Sequence, residues 1–297
     1  MLSKKRATVQ LWMHHFREVK TTLITLMRSI FFSPVTQDQA DLEKLIKSEY
    51  VTENSSFVSG NTITIVTWNI FKGYYQDRIN NSMSLLSESY EPDLWLLQEA
   101  PMYENSAALP LFAGVEGNRS YVSSHKFNGE HAYFPFSHSG QLTYSRFAYG
   151  QSEVKLLPQV TNYSSWARST EFLHRMFLYT QIKTEDGKTI GVYNIHLENM
   201  TTPSGRSHQI DFILDSYKEK NDDYVIMAGD FNSFFTRRFE KLFRKLHEHG
   251  FVNFAPKRLR LLPQVDFVYS KGFSSGKILS VRVSGSDHNP VVAHLEL

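Results

Sequence analysis

The chain carries the segment Tyr224-Val225-Ile226-Met227-Ala228-Gly229-Asp230-Phe231-Asn232. It runs apolar, then small, then polar. An apolar run of this length reads as a buried strand. Gly229 lets the backbone approach a neighbour closely at the strand's end. If the chain stays extended there, residues i and i+2 share a face, and Asp230 and Asn232 point into one space. The competing reading is a strand followed by an Asx turn, because Asp and Asn are common turn residues. Similar polar groups at other strand ends bear on the choice.

Other segments show the same habit. Residues 61–69 (NTITIVTWN) and 93–99 (DLWLLQE) read as strands that finish in Trp-Asn and Gln-Glu. Residues 141–147, 171–183 and 189–197 read as further strands, the last carrying Asn194-Ile195-His196. Segments 264–270, 277–283 and 291–297 complete the strands, with Ser286-Asp287-His288-Asn289-Pro290 between the last two. Helical patterns fall around 79–89, 207–220 and 234–246, and 101–138 reads as loop-rich. Mixed strands and helices in one unbroken run over 62–297 point to a single α/β sandwich.

Composition sets the outer bounds. The chain has 297 residues, 41% hydrophobic and 14% aromatic, enough for a sizeable core and against global disorder. A formal net charge of +2 names no partner. The absence of cysteine removes disulfides, thiolate nucleophiles and Cys-based zinc sites. Neither a long uninterrupted apolar run nor a signal-peptide pattern is evident, so a cytoplasmic location is expected, with peripheral membrane attachment as an option.

That option rests on the N-terminus. Val9, Trp12, Phe16, Val19, Leu23, Leu26 and Ile30 alternate at spacings of three and four, a helix stripe flanked by Lys4, Lys5, Arg6, Arg17, Lys20 and Arg28. Packing on its own domain or a partner helix, lying on an anionic membrane, and targeting are the competing readings. Pro34 ends the helix, and 37–60 reads as a connector with a short helix around 42–46. The expected division is therefore 1–60, basic helix and connector, and 61–297, the catalytic domain.

The polar groups at the strand ends suggest metal-assisted attack of water on a phosphate ester. A hard divalent cation takes oxygen ligands. Glu99 is the best direct ligand and Asn69 a neutral one. His288 suits a general base, with Asp266 fixing its tautomer. Asp230 would orient the water, Asn232 would donate to a non-bridging oxygen, and His196 would steady the phosphorane or protonate the leaving oxygen. Each residue alone has an ordinary structural explanation; converging at one rim, they make a site.

Thr67-Trp68-Asn69, Leu97-Gln98-Glu99, Asn194-Ile195-His196-Leu197, Gly229 to Asn232, Asp266-Phe267 and Ser286-Asp287-His288 resemble, in order, the motifs of the endonuclease/exonuclease/phosphatase superfamily. More narrowly, Trp68 to Lys72, Val225 to Asn232 with Arg237-Arg238, and Asp266 to Tyr269 with Ser286 to Pro290 resemble the bacterial YafD-like proteins. The resemblance implies a DNase I-like four-layer α/β sandwich, two mixed central sheets flanked by helices, and a Mg²⁺- or Mn²⁺-dependent phosphoesterase. By position it places Glu99, Asn69 and Asp287 at the metal, and gives Asp230, Asn232, Asp266, His288 and His196 the catalytic roles. Arg175 loosely matches a phosphate-contacting arginine. His196 points away from abasic-site repair.

The expected activity is that of a nuclease. A membrane-associated phospholipid or phosphoinositide phosphoesterase and a catalytically silent scaffold are the alternatives. Arg237, Arg238, Lys241, Arg244 and Lys245, followed by Lys257, Arg258 and Arg260, suit a polyanion such as nucleic acid, or else form a solvated helix face paired with Glu240 and Glu248. The aromatic residues at 127–136 suit loop packing, base stacking or lipid insertion. No protein partner is inferred.

Overall fold

Alternation along the strands sorts the chain into layers. In β2 (Thr62–Asn69), Ile63 and Ile65 face one way and Val66 and Trp68 the other, all of them buried. The same period-two sorting in β9 (Tyr224–Asp230) sends Ile226 and Ala228 to one side and Val225 and Met227 to the other. Strands buried on both faces must have something packed on each. The structure, a computed structural model, describes residues 47–50, 57–102, 117–126, 138–160, 175–199, 201–233, 240–256 and 265–297. The stripe expected over 7–32, the short helix at 42–46, the aromatic residues at 127–136 and the basic residues 237, 238, 257, 258 and 260 lie outside these.

Two sheets result. The remaining strands are β1 (Lys47–Tyr50), β3 (Leu94–Met102), β4 (Asn118–Lys126), β5 (His138–Ser145), β6 (Tyr149–Leu156), β7 (Met176–Lys183), β8 (Thr189–His196), β10 (Asp266–Lys271), β11 (Ser275–Ser280) and β12 (Val291–Glu296). The seven-stranded sheet has the order β1-β4-β5-β3-β2-β12-β11, and the five-stranded sheet the order β10-β9-β8-β7-β6. Both are mixed: β2 pairs with β3, and β8 with β9, in parallel, while the other pairings are antiparallel.

Their inner faces meet in one apolar layer, where Ile63, Ile65, Leu94 and Leu96 pack with Ile190, Val192, Ile226, Ala228 and Val268. Outside the larger sheet, α1 (Gln76–Tyr90) lays Ile79, Met83 and Leu86 on Val66, Trp68, Trp95 and Leu97. Outside the smaller, α2 (Pro203–Lys218) and α3 (Glu240–Glu248) cover Tyr193, Ile195, Met227, Phe267 and Tyr269 with Ile210, Ile213, Leu214, Leu242 and Leu246. Helix, sheet, sheet, helix is the four-layer α/β sandwich expected. Helix α2 starts where its chemistry says it should: the Thr202 side chain accepts from the Gly205 amide and Pro203 opens the first turn.

Several boundaries differ from the sequence expectation. Strand β4 lies within 101–138, expected to be loop-rich, and β6 was not anticipated. Both sit toward the outer reaches of their sheets, and their polar-rich sequences (NRSYVSSHK and YGQSEVKL) carry a weak strand signal. The segment expected to be a connector contributes β1, paired antiparallel with β4, and a buried Val58 that bridges to Thr184. Among the described residues no helix is long and apolar enough to cross a membrane.

Candidate active site

The site forms where the inner layer of the sandwich runs out. The apolar residues facing between the sheets give way, at one rim, to polar ones of the same parity: Asn69 follows Ile63 and Ile65, Asp230 follows Ile226 and Ala228, and His196 follows Ile190 and Val192. Strand β10 runs antiparallel to β9 with Asp266 opposite Asp230, so Asp266 reaches this rim from the start of its strand rather than the end. Side chains sent inward from opposing sheets then meet. The Asn69 amide donates to Asp230 Oδ2 at 3.0 Å across the gap between the sheets.

His288 arrives on the loop between β11 and β12, and hydrogen bonds around it fasten that loop. Ser286 Oγ donates to the Asn69 carbonyl at 2.6 Å, the His288 amide donates to Ser286 Oγ at 3.1 Å, and Trp68 Nε1 donates to the His288 carbonyl at 2.9 Å. The imidazole Nδ1 lies 2.7 Å from Asp266 Oδ2, and Nε2 lies 4.0 Å from Asp230 Oδ2. Together Asp230, Asp266 and His288 present ligand-type atoms all within 4.8 Å of one another, a group that could hold a metal ion.

Charge and burial act on one another here. Burial pushes the Asp230 carboxyl up, to about 6; His288 opposes that push, Asp266 adds to it, and hydrogen bonds from the Asn232 amide and Asn69 moderate it. Burial alone would lower His288, but the carboxylates of Asp266 and Asp230, with the Asp266 hydrogen bond, raise it by more, and it stands well above the usual imidazole range. The site therefore stabilises a cationic imidazole between carboxylates.

Glu99 reaches the site by an irregularity. Its parity in β3 places it with Trp95 and Leu97, which face α1. A register shift between Leu97 and Ala100, with Glu99 at φ 53°, forms a bulge that redirects the side chain. Beside it the backbone turns left-handed through Phe71, Lys72 and Gly73, at φ 48°, 56° and 69°. Ile70 N donates to the Gln98 carbonyl at 3.0 Å and Phe71 N to Asn69 Oδ1 at 3.1 Å, which fastens this turn against Glu99. Lys72, only 9% exposed, is the functional candidate that sequence reasoning missed. Burial lowers its ammonium, Glu99 and Asp287 act to raise it, and Arg175 acts to lower it. Asp287 stands at the solvent edge; partial loss of water raises its carboxyl, against His288 and with Glu99. Lysine three positions past Asn69 was visible in the sequence, but only the left-handed turn gives it a direction.

His196 lies 3.5 Å from Asp230 Oδ2 through Nε2. Arg175 Nη1 stands 2.9 and 3.2 Å from the two ring nitrogens of His196, so the loosely matched arginine does reach the site. Buried Arg206, from α2, donates to the carbonyls of Glu198 and Asn199 at 2.7 and 3.1 Å and holds the backbone that follows His196.

Corrections follow. Asp230 and Asn232 do not share an extended face: β9 ends at Asp230, Asn232 adopts φ 49°, and its amide donates to Asp230 Oδ1 at 2.8 Å, an Asx turn. The Asn232 side-chain amide donates to the Leu197 carbonyl at 2.8 Å. Gln98 and Asn194 do not belong to the rim. Gln98 Nε2 donates to Asn194 Oδ1 at 2.8 Å, and Asn194 Nδ2 donates to the carbonyls of Leu97 and Leu142, a buried polar tie between the sheets. Of the basic flank expected beside β9, Lys245 pairs with Asp211 at 2.5 Å and Arg244 with Glu248 at 3.6 Å, so these two serve a helix surface.

A sandwich of two mixed sheets with carboxylates, imidazoles and an amide at one rim defines a phosphoester hydrolase of the DNase I-like class. The chain belongs to the endonuclease/exonuclease/phosphatase family, whose model matches residues 66–288. It is similar to a UPF0294 protein of Vibrio vulnificus, 27% identical over 244 residues that cover 79% of this chain and 77% of the relative. This is the group to which the YafD-like motifs pointed. Among solved structures, an endonuclease/exonuclease/phosphatase from Beutenbergia cavernae aligns with a TM-score of 0.60 at 19% identity, covering 80% of this chain and 72% of that one. The human Nocturnin catalytic domain, solved with a bound sulfate anion, aligns at 0.59 and 15% identity, covering 81% and 96%.

Proposed function

We propose that this chain is a divalent-metal-dependent phosphodiesterase acting on nucleic acid. The observation that carries the reading is the Asp266–His288 pair, 2.7 Å apart, with Asp230 beyond the far ring nitrogen at the rim of the sandwich. His288 takes the proton of the attacking water, Asp266 fixes its tautomer and steadies the charge, and Asp230 orients the water. His196, 3.5 Å from Asp230 with Arg175 Nη1 against its ring, would steady the phosphoryl oxygens or the leaving group. Asn232 is anchored by its hydrogen bond to Leu197 and keeps one amide hydrogen for a non-bridging oxygen.

Glu99 and Asp287, with Asn69 beside them, would hold Mg²⁺ or Mn²⁺. The fit is chemical: all three offer oxygen, and the Asp287 carboxyl is raised partly by the charge of Glu99, which a cation would relieve. Bound there, a divalent cation supplies Lewis-acid polarisation of the phosphoryl group.

Nucleic acid is favoured by what borders the site. Phe71, Tyr74 and Tyr75 lie within the segment after Asn69 and Ile70, with ring centroids 6.1 and 4.7 Å apart along the series, and Tyr75 is 44% exposed. The Arg78 guanidinium lies 5.3 Å over the Tyr75 ring. Aromatic rings and a guanidinium beside a phosphate site suit bases on a phosphodiester backbone. The test is hydrolysis of plasmid DNA, single-stranded RNA, sphingomyelin vesicles and phosphoinositides with Mg²⁺, Mn²⁺ or EDTA, beside His288→Ala. Metal-dependent cleavage of nucleic acid, lost in the variant, is expected. Cleavage of lipid alone would overturn the substrate reading, and full activity in His288→Ala would overturn the mechanism.

A further inference from the structure

Glu198 is 4% exposed and lies two positions beyond His196, yet no step of the reaction above uses it. A carboxylate enclosed to that degree needs cations close by. Two buried guanidiniums supply them. Glu198 Oε2 stands 4.0 Å from Arg175 Nε. Burial lowers the Arg206 guanidinium, and Glu198 first and Asp230 second act to raise it. Without Glu198, both guanidiniums would stay enclosed with less negative charge to balance them, a costly arrangement in a dry interior.

The backbone at Glu198 is clamped from both sides. From α2, Gln209 Oε1 accepts from the Glu198 amide at 3.0 Å, and Arg206 Nη1 donates to the carbonyls of Glu198 and Asn199. From β9, the Asp230 carbonyl accepts from the Leu197 amide at 2.9 Å. Arg175 is seated on this segment. Its Nη2 donates to Asn199 Oδ1 at 3.3 Å, and its Nη1 stands 2.9 and 3.2 Å from the two ring nitrogens of His196. Near-equal distances to both nitrogens put Nη1 over the ring face rather than in line with either lone pair, and guanidinium planes stack readily on aromatic faces. Stacking fixes no direction, so the other side of the guanidinium decides where it stays. There Nε makes no hydrogen bond, and Glu198 acts on it through charge.

We propose that Glu198 is a positioning residue: its carboxylate balances Arg175 and Arg206 and keeps the Arg175 guanidinium on the His196 ring, so that the two meet the substrate's phosphoryl group as one preassembled unit. A guanidinium already in place needs no reordering as charge develops on the phosphate, and such preorganisation shows in the rate rather than in ground-state binding. This rests on the phosphodiesterase reading above, and the experiment separates the two. Guanidinium ¹⁵N NMR of the full chain in EDTA reports the seat of Arg175 without any substrate. The Arg175 signals, assigned by their loss in Arg175→Met, are expected to be separate for Nη1 and Nη2 in wild type, which marks hindered rotation, and to merge in Glu198→Gln.

Hydrolysis of single-stranded DNA in Mg²⁺ then reads the consequence. Glu198→Gln is expected to lower kcat by about tenfold or more and to leave KM within about twofold. In an Arg175→Met background the same substitution is expected to change kcat by less than about twofold, since a residue that acts through Arg175 then has nothing to place. A carboxylate of purely structural importance would show no such coupling. Separate Arg175 signals in Glu198→Gln, or equal losses of kcat in the two backgrounds, would overturn the inference. Where wild type hydrolyses no DNA, the function reading falls by itself; merged signals still sustain the hold of Glu198 on Arg175, and separate signals overturn it. Thermal unfolding checks that each variant folds. Should Glu198→Gln fail that check, Glu198→Asp, whose carboxylate is drawn back from Arg175, takes its place with the same expected and refuting results.

Discussion

Replacing Asp230 with Asn is expected to make the metal-free protein more stable at alkaline pH, and the size of the effect follows from the site. Asp230 is buried, and its carboxyl is raised from the ordinary 3.8 to about 6. In this case the native state holds the proton more tightly than the unfolded chain does. Stability therefore falls as pH rises from near 4, where the unfolded carboxyl ionises, to above 6, where the native one has ionised as well. Roughly two pH units at about 1.4 kcal/mol each give a loss of about 3 kcal/mol across that window. Asn cannot ionise and escapes it. The substitution also places an amide where Asn69 Nδ2 now donates, which costs about 1 kcal/mol at every pH. The assay is urea unfolding in EDTA at intervals from pH 4 to pH 8. The stability difference between Asp230→Asn and wild type should climb by about 3 kcal/mol over that range, from slightly negative to clearly positive, while hydrolysis is lost. A flat difference, or one that falls with pH, would refute the account of Asp230 as a carboxylate held in place against its solvation.

Three further outcomes are expected. His288 must be neutral to act as a base, and its neighbours raise it well above 6.5, so the rate should climb through the alkaline limb of the pH profile; Asp266→Asn removes the strongest of the raising charges and should shift that limb to lower pH as well as reduce the maximum rate. Gln98→Leu leaves Asn194 Oδ1 without its donor between the sheets and should cost about 1–3 kcal/mol, read as a lower urea midpoint at unchanged slope. Gly229 stands at φ 141°, and a Cβ there would collide with the Ile195 carbonyl, so Gly229→Ala should destabilise by about 3 kcal/mol or more in the same assay. A fully stable Gly229→Ala protein would show that β8 and β9 are not packed as closely as described.

Much of the architecture was written in the sequence, because a strand buried on both faces must be apolar throughout and must stop being so where it reaches solvent. The residues of β9 declare that strand and its polar end, and the same holds for β2, β8 and β12. The ordered motifs then named the family from Asn69 to His288, a span close to the 66–288 match. Legibility failed where local pattern is weak: β4 and β6 are polar-rich, and β1 lies in a segment with no strand signature.

The identity of the site residues was therefore a property of the chain, but their directions were not. Parity brings Asn69, Asp230, His196 and Asp266 to one rim, yet the same parity sends Gln98 and Asn194 inward as a tie between the sheets. It would also have turned Glu99 toward α1. A bulge at Glu99, a left-handed turn at Lys72 and an Asx turn at Asn232 reverse what simple alternation dictates. Each of these conformations is unfavourable for an isolated segment, so no local rule announces it. Each is held by partners distant in sequence, such as Ser286 on Asn69 and Leu197 on Asn232, which only the packed sandwich brings within reach.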